Sequence, residues 1–97
     1  MKKRHRVREQ RDFLALLRKG RKKESRFFTL FIRPNRYGYG RFAFVVSKHV
    51  AHKAIVRNQL RRRAREWVRT RTHLPRESYD MMMLFKKGAS EAPKKNL

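Results

Sequence analysis

From Val56 to Trp67 the chain reads VRNQLRRRAREW, a run that satisfies its side chains best as a helix with two unlike faces. Val56, Leu60, Ala64, Trp67 and Val68 recur at helical spacing and form one apolar stripe. Arg57, Arg61 and Arg65 follow one another at i, i+4 and stand on a second face, about 100° round from the first. Arg62 and Arg69 flank that face. The spacing predicts a helix over Ala54 to Arg71, seated on a small core by one side. The other side presents guanidinium groups over several turns, and a polyanion is the partner that suits it.

Charge carries the same message across the whole chain. Its 97 residues hold 29 Lys+Arg against 7 Asp+Glu, a formal net charge of +22. Self-repulsion at this density opposes compaction, and a dense anionic partner relieves it. Arginine outnumbers lysine, 18 to 11. Arginine grips phosphate bidentately and stacks on bases, which favours structured RNA or DNA over a membrane surface. The length predicts a single domain over residues 1–97, here one that binds nucleic acid. With no cysteine there is no disulfide framework and no zinc site of the usual kind. No apolar run approaches the roughly 20 residues of a membrane span. The basic start MKKRHRVREQRDF lacks an apolar core for a secretory signal, so a cytoplasmic protein is expected.

The rest of the chain divides into short elements. Residues 1–8 read as a basic tail. Asp12 is placed to cap a helix carrying Phe13, Leu16 and Leu17 that ends at Gly20. Arg21 to Arg26 is a charged connection with room for a short extended piece. Phe27 to Arg33 (FFTLFIR) predicts a strand that stops at Pro34. PNRYGYG, residues 34–40, carries the turn residues of a hairpin loop, and Phe42 to Ser47 is the returning strand, apolar on both faces and so expected to be central. After the loop Lys48 to Lys53 comes the arginine helix, then a last strand over Tyr79 to Phe85 (YDMMMLF), then a loose tail over 88–97. A helix between two strands predicts a βαβ crossover in a mixed α+β domain.

Residues with catalytic chemistry are scattered. The seven acids stand singly among arginines, and no carboxylate pair or His/carboxylate cluster suggests a metal site. His49 and His52 lie in a basic loop without other ligands. The glycines of YGYG precede neither a helix nor a lysine, so they fit a turn better than a phosphate loop. Met81 to Met83 fit core packing, and Trp67 fits the core stripe rather than base stacking. On the first strand, Phe28, Leu30 and Ile32 make the cleaner core face. Phe27, Thr29, Phe31 and Arg33 make the better candidate for an open cleft in which bases stack on aromatic rings.

These residues resemble the protein subunit of bacterial ribonuclease P. The resemblance rests on Arg57-Asn58-Gln59-Leu60-Arg61-Arg62-Arg63-Ala64-Arg65-Glu66, which looks like the family's RNR motif. Val46-Ser47-Lys48 upstream, Lys3-Arg4-His5-Arg6-Val7 with Asp12-Phe13, and Tyr79-Asp80 with its apolar run support it. Gln59 departs from the motif's second arginine, and the family's final helix is expected to be shortened or absent. The resemblance implies a small two-layer α/β sandwich with a left-handed crossover, against the general right-handed rule. It implies that catalysis belongs to an RNA, with Mg2+ held by that RNA and none by the protein. It implies two partners, ribonuclease P RNA and precursor tRNA, and no catalytic residue in this chain. Lys48, Arg57, Asn58, Arg61, Arg62 and Arg65 would dock on the catalytic RNA. Phe13, Leu17 and Phe31 would line a cleft for the single-stranded 5′ leader. Three other readings compete: a small basic ribosomal or other structural RNA-binding protein, a DNA-binding regulator, and a protein-only nuclease. The last lacks the carboxylates of a two-metal site, and the second lacks a helix-turn-helix partner helix.

Overall fold

The computed structural model describes residues 3–89. Helix α1 spans Gln10–Lys19, strand β1 Arg21–Glu24, β2 Phe28–Pro34, β3 Arg41–Val45, helix α2 Ala54–Arg71 and β4 Tyr79–Phe85, with single 3-10 turns at Lys3–His5 and Leu74–Arg76. The four strands form one sheet in the order β1-β2-β4-β3. β2 runs antiparallel to both β1 and β4, while β3 runs parallel to β4. The α+β class and the crossover β3–α2–β4 are those expected from the order of elements.

Side-chain alternation divides the sheet into two apolar faces. Phe31, Ala43 and Met82 share one face and pack with Leu16 of α1 and with Val7. Phe42, Phe44, Met81 and Met83 share the other, under Leu60, Ala64 and Val68 of α2. The helices therefore lie on opposite faces. The methionines of β4 are each 3% exposed at the sheet's centre, which is the core role their run predicts.

Several expectations change. The segment 34–40 does not close a hairpin, because β4 inserts between β2 and β3. A strand as uniformly apolar as β4 is best satisfied with neighbours on both edges. β3 consequently lies at the sheet edge rather than the centre. Part of that edge is covered by residues 6 and 7: Arg6 bridges to Phe42, and the Val7 N–H donates to the Phe42 carbonyl at 3.0 Å. The described part of the basic tail is thus docked, anchored by the one apolar side chain in it, Val7 (3% exposed). The charged connection after α1 forms strand β1, exposed along its length. Lysines on such an edge discourage pairing with other chains.

α1 begins at Gln10, with Glu9 rather than Asp12 at its N-cap. Asp12 sits within the first turn and faces Arg41 instead. In α2 the buried row is Leu60, Ala64 and Val68, and Trp67 is 37% exposed. That row is a strict i, i+4 series, and Trp67 falls about 60° from its centre. Of the loose tail expected over 88–97, only Gly88 and Ala89 lie within the described residues. Ala89 is fully buried against the α2 face of the core.

Candidate RNA interface

Two groups of arginines can be traced from the fold. The first lies on α2. Arg57 donates from Nη1 to the carbonyls of Ala51 (3.0 Å) and His52 (2.6 Å). It fastens the loop before α2 to the first turn of the helix. That loop turns on Ser47, whose carbonyl accepts from the N–H groups of Val50 and Ala51, and it leaves Lys48 exposed. One turn on, Arg61 donates to Asn58 Oδ1 at 2.7 Å, which fixes its guanidinium. Arg61 and Arg65 are half-buried, and Asn58 and Arg62 face solvent.

Arg61 and Arg65 border a hollow of about 400 Å³ that opens along β3. Phe13 of α1, the strand residues from Phe42 to Val45, and His5, Arg6 and Val7 complete its lining. Cations and an aromatic ring thus meet an apolar floor. That composition suits a strand of unpaired nucleotides, with phosphates on guanidiniums and bases on apolar or aromatic surface.

The residues expected in the leader cleft are not brought together. Phe13 lines the hollow. Leu17 is 47% exposed on α1 and lies outside it. Phe31 is 8% exposed, packed among Leu16, Ala43 and Met82, so its face of the first strand is covered by α1 rather than open. The six residues expected on the catalytic RNA all lie on α2 or the preceding loop but point three ways. Arg57 turns inward to carbonyls, Arg61 and Arg65 border the hollow, and Lys48, Asn58 and Arg62 face solvent. Sequence reasoning missed His5, Arg6 and the β3 edge. Val7, a lone aliphatic residue in a basic run, was the available signal.

The second group centres on Arg41. Its Nε donates to Asp80 Oδ1 (2.8 Å) and its Nη2 to Asp80 Oδ2 (2.6 Å), a bidentate pair with side chains only 12% and 11% exposed. Its Nη1 reaches Asp12 Oδ2 at 3.4 Å, and its guanidinium carbon lies 4.2 Å from the centre of the Tyr37 ring. Asn35 Nδ2 also donates to Asp80 Oδ1, at 2.8 Å. The hydrogen bonds that Arg41 donates to Asp80 raise the Arg41 pKa above its ordinary value, outweighing the opposing effect of burial. This cluster joins α1, β3, β4 and the 35–40 loop.

Other acids are also engaged by neighbouring cations. Glu9 pairs with Arg11 at 2.8 Å, Glu24 with Lys22 at 3.4 Å, and Glu66 with Arg69. Among the described residues, no three of His, Cys, Asp and Glu come close enough to hold a metal ion. No described helix is long and apolar enough to cross a membrane.

Known proteins give this arrangement a context. The chain is 35% identical over 65 residues to the ribonuclease P protein component of Chromobacterium violaceum, covering 67% of this chain but 54% of that one. It is 32% identical over 88 residues to the ribonuclease P protein component of Thermotoga maritima, covering 91% and 74%. A solved structure of the RNase P protein from Thermotoga maritima superposes with a TM-score of 0.80 at 28% identity, covering 94% of this chain and 86% of that one. The Ribonuclease P family model matches residues 1–97, and the chain belongs to that family.

Proposed function

We propose that this chain is the protein subunit of a ribonuclease P ribonucleoprotein, in which it assists removal of the 5′ leader from precursor tRNA. One observation carries the reading: Arg61, Arg65 and Arg6 converge with Phe13 on one hollow along the β3 edge. The hollow receives the single-stranded leader. The solvent-facing side of α2 and its preceding loop, with Lys48, Asn58 and Arg62, docks on the catalytic RNA. Arg57 acts on that surface indirectly, by fixing the loop that carries Lys48.

The enzyme and its substrate are both polyanions, and the chain lets them approach. Three guanidiniums on three leader phosphates give a salt slope of about −2 for the single strand. Because these contacts exist only when a leader is present, they favour precursor over mature tRNA. The reacting groups belong to the RNA. In this reading Mg2+ is held by that RNA, and Asp12 and Asp80, both engaged by Arg41, are structural. Work of this kind takes place in the cytoplasm.

Reconstitution with a bacterial ribonuclease P RNA at low magnesium tests the reading. The chain should restore 5′ cleavage of precursor tRNA that the RNA alone performs poorly. Binding to that RNA with no gain in cleavage would instead favour a structural RNA-binding protein.

A further inference from the structure

The hollow along β3 does not end at the N-terminal segment. Arg6 borders it and also borders a second hollow of about 420 Å³, lined by Arg4, Arg8, Glu9, Tyr39 and Arg41. The wall between the two is the docked segment itself, held by the Val7–Phe42 hydrogen bond and by His5, whose Nδ1 donates to the Gly40 carbonyl at 2.7 Å. Gly40 is needed there, because a Cβ would collide with the Leu74 carbonyl.

The second hollow has the chemistry of a nucleotide site. The guanidinium carbon of Arg4 lies 5.2 Å from the centre of the Tyr39 ring. A guanidinium stacked in this way keeps its N–H edge free for phosphate. The Tyr37 ring, 5.9 Å from Tyr39, has Arg41 against one face and is 52% exposed. Among the described residues, none of Arg4, Arg6 and Arg8 meets a carboxylate. The one acid on the rim, Glu9, is paired with Arg11. Arg41 adds little net charge, because Asp80 and Asp12 face it.

We propose that Arg4, Arg6, Arg8, Tyr37 and Tyr39 form a second RNA site that takes unpaired leader nucleotides beyond those in the β3 hollow. It rests on reading the β3 hollow as the leader groove, and Arg6, common to both, makes the path continuous. An exposed ring beside cations selects unpaired bases, since only these present a face for stacking. Phosphates meet Arg4, Arg6 and Arg8, and one base stacks on Tyr37.

The test uses the reconstituted holoenzyme and two precursor tRNAs, one with a leader of about 5 nucleotides and one of about 12, lengths within the range that single-strand sites cover. Arg4→Ala with Tyr37→Ala should weaken binding of the long-leader precursor on the order of tenfold. Binding of the short-leader precursor and of leaderless tRNA should stay unchanged. Tyr37→Phe, which keeps the ring, should bind the long leader as the native chain does. Equal loss on both precursors, or loss on neither, overturns the proposal. Should the double variant lose its helical circular dichroism, Tyr37→Ala alone, at an exposed ring, carries the same test. Failure of the groove reading looks different: Arg61→Ala with Arg65→Ala would then leave the short-leader preference intact.

Discussion

Arg41 begins the edge strand β3 and Arg65 borders the hollow along it; both are partly buried, and their surroundings are opposite. Arg41 is closed off by two carboxylates and a tyrosine ring and joins four elements of the fold. Arg65 borders an open hollow and, among the described residues, has no anionic partner. The difference shows that a composition so rich in arginine says little about which arginines bind. An arginine that meets an acid across the fold holds the protein together, and one that meets none is available to phosphate.

Breaking the first member of this pair should have the largest effect. Arg41→Ala leaves Asp80 as a buried charge without its bidentate partner, at a cost of about 3–5 kcal/mol. A domain of this size loses roughly 4–8 °C of melting temperature per kcal/mol, so calorimetry should find a fall of more than about 10 °C. A melting point close to the native one would show that Arg41 is not structural. Phe31→Ala comes next. Its ring is buried between α1 and the sheet, so the change should cost about 3–5 kcal/mol through cavity formation. Selective loss of leader binding at native stability would instead mean that α1 opens to expose Phe31.

The opposite result is expected at the hollow. Arg61→Ala with Arg65→Ala should leave stability within about 0.5 kcal/mol of native, as for other surface changes. The salt slope for the leader should fall by about 1.4, the contribution of two single-strand phosphates. Binding of precursor across a salt series measures both the slope and the loss. The smallest effect belongs to Glu66, whose pair with Arg69 lowers its pKa below the ordinary carboxylate value. A carboxylate depressed in the folded state adds stability above its unfolded pKa, near 4.3, and that contribution disappears as pH falls through the folded value. Both side chains are solvent-exposed, so Glu66→Gln should change the neutral-pH melting point by about a degree or less, and only at low salt.

What could be read from the sequence follows the same division. Local patterns carried over: α2 spans the expected Ala54–Arg71, and the YDMMMLF run is a strand. Partners far apart in sequence were hidden. The Arg41–Asp80 pair joins residues 39 positions apart, and no periodicity marks it. Nor does any local signal show that β4 enters between β2 and β3, which moves β3 to the edge and so creates the hollow. Thr29 and Arg33 make the Phe31 face the more polar of the two, which points to an open face. The structure covers it with Leu16 of α1, a helix that the distant Arg41–Asp12 contact also ties to β3. The exposure of Asn58 and Arg62 follows from the helical period, because a helix fixes its faces within a few residues.

The most direct measurement is the ratio of precursor to leaderless tRNA affinity in holoenzyme reconstituted with the native chain or with the Arg61→Ala, Arg65→Ala variant. The native chain should favour the precursor, and the variant, equally well folded, should lose most of that preference. A folded variant that discriminates as well as the native chain would contradict the account.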